Sequence, residues 1–236
     1  MSIIEFLVSL ISFFLLNIPV YAALNKYILK PGGRVIGIIV TVVFWGSALF
    51  AQNLPAFIGV VLLIFTVYSR RTDEETYIRD RGVWEFHPSD VGFVVLVTLL
   101  FRVVIGAVNF IYVYILDWLT KYQAKPQEIV TDFTSAGWIY KAILFFVIVI
   151  FAPVVEEYAF RYYLYDKKLL PRMPAAVAAV ISAAVFSTIH YNLGGVPSFF
   201  GLGLLNCYIY EKKGYYGAVI AHLVFNLTSV MLLLLG

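Results

Sequence analysis

The strongest constraint on this chain is a series of apolar blocks of roughly 17 to 28 residues, the length that a helix needs to cross about 30 Å of hydrocarbon. Hydrophobic residues make up 62% of the chain, whereas soluble domains contain about 45–50%. Strands of a membrane barrel would alternate apolar and polar residues, and Leu144–Val155 does not alternate. Because backbone groups in lipid must be hydrogen-bonded within the protein, we predict an all-α, polytopic transmembrane helix bundle.

The apolar blocks predict about eight spans. They are Ile3–Leu24, Val35–Ala51, Leu54–Tyr68, Val91–Leu116, Trp138–Tyr165, Ala175–His190, Ser198–Tyr210 and Tyr215–Leu235. The third and seventh are short enough to be tilted, partial or re-entrant. Most basic residues lie in alternate loops, around Lys26, Arg70, Lys167 and Lys212. The positive-inside rule therefore places these loops in the cytoplasm and both termini outside.

Domain organisation follows from the same pattern. We predict a single membrane-embedded domain over 1–236, with generic transmembrane helices and loops in 1–137 and a motif-bearing catalytic half in 138–236. Cys207 is the only cysteine, so an internal disulfide and a thiolate metal cluster are excluded. The net charge is +3 and the basic residues are dispersed, so no nucleic-acid partner is expected.

Polar residues in the C-terminal half mark the candidate site. A charged side chain in the middle of a membrane helix costs at least ~2.5–3.5 kcal/mol, so it persists where it is paired or functional. The candidates are Glu156, Glu157, Arg161, His190, His222 and Asn226.

Helical spacing sorts these residues by face. Glu157 and Arg161 are four apart and can form an ion pair, whereas Glu156 lies about 100° away from Glu157. Glu156 is thus the carboxylate that can face a cavity. His222 and Asn226 are also four apart and project together. Phe186 stands one turn before His190 and can pack against the imidazole.

This set of side chains suits hydrolysis by water. A carboxylate in low-dielectric surroundings can act as a general base, and a neighbouring histidine can share the water. A second histidine and an amide can donate two hydrogen bonds to a developing oxyanion. No serine or cysteine stands beside a base as a nucleophile.

The motifs Glu156-Glu157-x-x-x-Arg161, Phe186-x-x-x-His190 and His222-x-x-x-Asn226 occur in that order within predicted membrane helices. This pattern resembles the CAAX-protease and bacteriocin-processing (CPBP, or Abi) family of intramembrane endopeptidases. The resemblance covers roughly residues 138–236. It implies that Glu156 is the general base and that His190 positions the water. It also implies that His222 and Asn226 are the oxyanion donors and that Glu157 and Arg161 are structural.

The metal requirement and the role of one arginine stay open at this point. Glu156, His190 and His222 could ligate Zn²⁺, since two histidines and a carboxylate leave an open position. There is no His-Glu-x-x-His motif, and we favour a mechanism without a cofactor. Arg102, inside the fourth predicted span, could pair with a carboxylate or meet a charged terminus of the substrate.

The resemblance also implies the class of partner. The expected substrate is a membrane-bound or prenylated protein or peptide, either of CAAX type or a pheromone or bacteriocin precursor. We expect a multi-pass protein of a bacterial cell membrane, in contact with the lipid bilayer. The alternatives are non-catalytic self-immunity to bacteriocins, or partner binding in the membrane. A proton-coupled transporter is a third reading, less favoured because the broken helices in paired halves that transporters use are not evident.

Overall fold

The computed structural model describes residues 3–68, 83–85, 87–122, 131, 135 and 137–235. Regular structure in these residues is helical throughout, and none of them lies in a strand. The predicted all-α class is therefore confirmed for the described part of the chain. The basic loop around Arg70, on which the predicted orientation partly depends, lies outside the described residues.

Seven long helical segments, labelled in chain order, can be followed in the described residues. They are α1 (Ile3–Leu24), α2 (Arg34–Ala51), α3 (Leu54–Leu63), α4 (Val91–Thr120), α5 (Trp138–Leu169), α6 (Ala175–Ile189) and α7 (Val196–Leu235). Short π-helical segments extend α1 and α3 over Asn25–Leu29 and Ile64–Tyr68. Two further π-helical segments, Val147–Phe151 and Tyr158–Leu169, lie within α5.

A sharp break at Gly214 divides α7 into two arms. The backbone of Gly214 has φ 67° and ψ −165°, and glycine adopts a positive φ without the steric cost that a Cβ brings. We call residues 196–213 the N-terminal arm and residues 215–235 the C-terminal arm. The break falls between the two predicted spans Ser198–Tyr210 and Tyr215–Leu235, so these segments are separate helical pieces.

Five helical stretches in the described residues are long and apolar enough to cross a membrane. They are Ile3–Leu29, Arg34–Ala51, Pro88–Thr120, Trp138–Leu169 and Leu193–Leu234. Two shorter apolar helices occupy Leu54–Tyr68 and Ala175–Ile189. Every predicted span thus coincides with a helical segment, but the number of crossings, about eight, and the external termini stay predictions.

Close contact between α6 and the N-terminal arm of α7 brings the motif-bearing helices together. Ala178 and Ala183 of α6 are fully buried, as expected for small residues that allow helices to approach. A Cβ built on Gly203 would lie 2.7 Å from the Cβ of Ala183 and 2.8 Å from its Cα. Gly203 is therefore required by the approach of a neighbouring backbone.

Two hydrogen bonds fix α5 against these neighbours. The Ser182 hydroxyl of α6 donates to the Phe160 carbonyl at 3.1 Å. The Tyr215 hydroxyl, at the start of the C-terminal arm, donates to the Val154 carbonyl at 2.7 Å. Because both bonds end on α5, this helix is fixed against both α6 and α7 in the part of the bundle that carries the motifs.

We expect Gly203→Ala to destabilise the protein, because the added methyl group meets backbone atoms of Ala183 that cannot rotate away. Overpacking of this kind typically costs about 1–3 kcal/mol, which should lower the melting temperature in detergent. Gly106→Ala on α4 is the matched control, since nothing lies within 4 Å of its added Cβ. Equal melting temperatures for the two variants would contradict the close packing of α6 on α7.

Candidate active site

The site is organised around the fully buried carboxylate of Glu157. Asn206 Nδ2 donates a hydrogen bond to Glu157 Oε1 at 2.9 Å, and His222 Nδ1 lies 2.7 Å from the same oxygen. Arg161 Nε forms an ion pair with Glu157 Oε2 at 3.1 Å. We call these four residues the Glu157 cluster. It joins α5 to both arms of α7.

Arg161 extends this cluster toward α6. Its side chain is completely buried, and its guanidinium lies 4.5 Å above the Phe186 ring. Its Nη2 donates to the Gly203 carbonyl at 3.4 Å. The partners that compensate this buried charge, the Glu157 carboxylate, the Gly203 carbonyl and the Phe186 ring, come from three helices.

Glu156 approaches the second ring nitrogen of His222 and, within the described residues, forms no ion pair with Arg161. Its Oε2 lies 3.7 Å from His222 Nε2, beyond the range of a hydrogen bond. Its side chain is 15% exposed, whereas that of Glu157 is 0% exposed. The structure therefore separates the adjacent glutamates as the helical geometry predicts, but it also places both of them against His222, which sequence spacing did not predict.

The hydrogen-bond partner of His222 determines where its proton lies. A carboxylate can only accept, so His222 Nδ1 must donate to Glu157. In a neutral ring the Nε2 atom that faces Glu156 then carries the lone pair. Glu157, which the resemblance implies to be structural, thus orients one of the expected site residues as well as pairing with Arg161.

His190 is held at the C-terminal end of α6 between two aromatic rings. Its Nδ1 donates to the Phe186 carbonyl at 2.8 Å, which places the lone pair of a neutral ring on Nε2. The imidazole stacks on Phe199 at 4.0 Å between centroids and meets the Phe186 ring edge-on at 4.7 Å. Phe186 thus packs against the imidazole as its spacing predicts.

His190 and His222 both contact one aromatic ring. The Phe186 ring has centroid distances of 4.7 Å to His190 and 5.7 Å to His222. Residue counting from the predicted loops leaves the relative depth of the two histidines open, with a mismatch that could exceed ~10 Å. The structure brings both imidazoles against Phe186.

Asn226 has a partner on α5. Its Nδ2 donates to the Ile148 carbonyl at 2.9 Å, in the π-helical segment Val147–Phe151. A side-chain amide has two hydrogens, so this bond occupies one of them. The residue therefore fixes the C-terminal arm of α7 to α5, one turn beyond His222.

Sequence reasoning missed Asn206 and Phe199. Asn206 is fully buried, and an amide inside an apolar span is a residue that needs a partner. That feature is visible in the sequence, but it does not identify Glu157 as the partner. The stacking of Phe199 on His190 depends on the 3₁₀ turn Leu193–Gly195, which returns the chain beside α6.

Glu156, His190 and His222 are the side chains that could ligate Zn²⁺. In the residues that the structure describes, no group of three or more His, Cys, Asp and Glu side chains is arranged to hold a metal ion. A Zn²⁺ site would need Glu156, His190 and His222 to converge on one point. Cys207, the remaining soft donor, is buried.

Comparison with known proteins identifies the C-terminal part of the chain. Residues 138–228 match the family model described as type II CAAX prenyl endopeptidase Rce1-like, a family of proteases. Searches of curated proteins and of solved structures found no significant match. The matched segment runs from the start of α5 almost to the end of α7 and contains all three motifs. This is an integral membrane protein whose residues 138–228 are similar to the Rce1-like family of type II CAAX prenyl endopeptidases.

Proposed function

We propose that this protein is an intramembrane endopeptidase that hydrolyses a peptide bond of a membrane-bound or prenylated substrate, using water activated by Glu156 and His190. The observation that carries the proposal is the placement of Glu156, 3.7 Å from a histidine whose opposite nitrogen is fixed by Glu157. An ion pair that only stabilised the bundle would not need a second, partly exposed carboxylate beside that histidine.

Glu156 is the proposed general base. It is not paired with Arg161, and its partial exposure leaves room for water. It takes a proton from the attacking water as the oxygen bonds to the scissile carbonyl carbon. When the carbon–nitrogen bond breaks, the same carboxyl group delivers this proton to the leaving amine. His190 assists by accepting a hydrogen bond from the water at Nε2, since its Nδ1 donates to Phe186.

His222 and Asn226 are the proposed oxyanion donors. Asn226 uses one amide hydrogen on Ile148, and its second hydrogen is assigned to the oxyanion. His222 already donates from Nδ1 to Glu157, so donation from Nε2 requires the doubly protonated ring. With the ring doubly protonated, the positive charges of His222 and Arg161 are matched by the carboxylates of Glu157 and Glu156. Two donors aimed at one oxygen are the usual means of stabilising a tetrahedral intermediate.

The proposed substrate is a lipidated protein or peptide cut near its C-terminus. The description of the matching family, a CAAX prenyl endopeptidase, supports this class. A pheromone or bacteriocin precursor in a bacterial membrane is the second candidate of the same reaction type. Non-catalytic immunity or partner binding is the competing function, and it would not require the separation of Glu156 from Glu157.

Conversion of each glutamate to glutamine tests the proposal. Glu156→Gln should fold and melt like the wild type, but cleave a prenylated peptide about 10²–10⁴-fold more slowly, because the base is lost. Glu157→Gln should lower the melting temperature, since an unmatched buried guanidinium typically costs about 3–5 kcal/mol. Turnover and thermal unfolding in detergent are the two measurements.

Glu211→Gln is the control for these variants. Glu211 lies near the end of the N-terminal arm of α7, is exposed and accepts a hydrogen bond from Tyr165. Its replacement should leave turnover unchanged. If Glu156→Gln retains full turnover while Glu157→Gln folds normally and is inactive, the two roles must be exchanged. A cellular phenotype that survives both Glu156→Gln and His190→Ala would favour the non-catalytic function.

We further expect the reaction to proceed without a bound metal. Purified protein should contain less than stoichiometric zinc by elemental analysis, and chelators should leave the rate of peptide cleavage unchanged. One tightly held metal ion per chain, with activity lost on chelation and restored by Zn²⁺, would contradict the water mechanism. His222 would then become a candidate ligand rather than an oxyanion donor.

A further inference from the structure

An open groove of about 440 Å³ runs along the hairpin formed by α1 and α2, beginning at the turn that connects them. This volume is in the range of small-molecule binding sites. The described lining residues fall between positions 25 and 42, so they include none of the side chains used in the proposed mechanism. A role for this groove is therefore separate from peptide cleavage.

The groove exists because the first half of α2 is not packed into the protein. Within α2, which the structure describes completely, the buried side chains are Phe44 and Ala48, and both lie in its second half. Gly33 and Gly37 line the groove without contributing a side chain to its wall. Because α2 is long and apolar enough to cross a membrane, lipid is the molecule that has access to this space.

Two cations line one end of the groove. Lys30 lies in the turn and Arg34 is the first residue of α2, and both residues are exposed. In the part of the chain that the structure describes, no carboxylate forms an ion pair with either of them. The described lining contains no acidic side chain. A bound anion would offset the mutual repulsion of the two cations, so this end suits a negatively charged group.

The other end of the groove is apolar. Ile38 and Val42 line it, and Val42 lies about 12 Å beyond Arg34 along the helix axis. The hydroxyl of Thr41 already donates to the carbonyl of Gly37 at 2.6 Å, so it needs no further acceptor. The headgroup layer of a bilayer is about 5–8 Å thick. With Arg34 at the membrane surface, the groove therefore extends through this layer into the hydrocarbon.

We propose that this groove binds an anionic phospholipid, whose phosphate contacts Lys30 and Arg34 and whose acyl chain lies along Ile38 and Val42. Arginine binds phosphate through paired, charge-assisted hydrogen bonds, and lysine binds it as a point charge. Basic pockets between transmembrane helices on the cytoplasmic side bind anionic headgroups, and the positive-inside rule predicts that this turn is cytoplasmic. A free inorganic anion would account for the two cations but not for the apolar end.

Native mass spectrometry of the full chain tests the proposal. The protein is reconstituted with an equimolar mixture of phosphatidylglycerol and phosphatidylcholine that carry identical acyl chains, and is then released into the spectrometer. The wild type should retain one phosphatidylglycerol molecule about 10- to 30-fold more often than phosphatidylcholine. This range is expected if each of two cations contributes the usual attraction of one basic residue to an anionic lipid.

Two double variants identify the cations responsible. Lys30→Gln combined with Arg34→Gln should abolish the preference for phosphatidylglycerol while leaving the melting temperature of the lipid-free protein unchanged, since both residues are exposed. Arg172→Gln combined with Lys212→Gln removes the same charge from exposed residues outside the groove and should preserve the preference. Equal retention of the two lipids by the wild type, or the same loss in both double variants, would overturn the proposal.

Filling the apolar end tests the contribution of the acyl chain. Gly37→Leu keeps both cations, and the nearest atom to its added Cβ is the Leu29 carbonyl oxygen at 3.8 Å. The leucine side chain should occupy the groove and reduce retention of phosphatidylglycerol to the level of phosphatidylcholine. Undiminished retention by this variant would show that the chain lies elsewhere and would contradict the proposed site.

Inorganic phosphate distinguishes a lipid from a free anion. Added to the delipidated protein in detergent, phosphatidylglycerol should raise the melting temperature, whereas inorganic phosphate at millimolar concentration should not. If inorganic phosphate stabilises the wild type as much as phosphatidylglycerol does, and the effect is lost with Lys30→Gln and Arg34→Gln, the groove is a site for a free anion and the lipid proposal fails.

Discussion

The strongest energetic requirement in this bundle is compensation of the buried carboxylate charge of Glu157. Glu157 is removed from solvent in the membrane-spanning helix α5, where an uncompensated charge would cost several kcal/mol. Its compensation comes from Arg161 on the same helix and from Asn206 and His222 on the two arms of α7. The charge therefore requires the break at Gly214, because one straight helix could not bring residues of both arms to one carboxylate.

The adjacent glutamate gains its properties from this arrangement. Arg161 is already engaged by Glu157, so Glu156 lies against His222 Nε2 with part of its side chain exposed. His222 consequently lies between Glu157, whose charge is compensated by its partners, and Glu156, whose side chain is partly exposed. In the proposed mechanism the first carboxylate holds the imidazole and the second exchanges a proton with water. This division of roles explains why two neighbouring acidic residues can persist in a membrane helix.

Much of this organisation could be predicted from the sequence, because helical periodicity and the cost of burying charge act locally. These rules predicted the all-helical fold, the Glu157–Arg161 pair and the contact of Phe186 with His190. They could not predict contacts between helices distant in sequence. The bond from Asn206 to Glu157 depends on tertiary packing, as does the bond from Asn226 to Ile148. The contact of both His190 and His222 with Phe186 likewise depends on how the helices pack.

Arg161 is coupled more strongly to Glu157 than to Glu156, and a double-mutant cycle measures this difference directly. The unfolding free energies of Glu157→Gln, Arg161→Met and the double variant should be non-additive by about 1–3 kcal/mol, in the range seen for residues of one buried network. The equivalent cycle with Glu156→Gln should be additive within about 0.5 kcal/mol. Strong coupling of Arg161 to Glu156, with additivity for Glu157, would contradict the account.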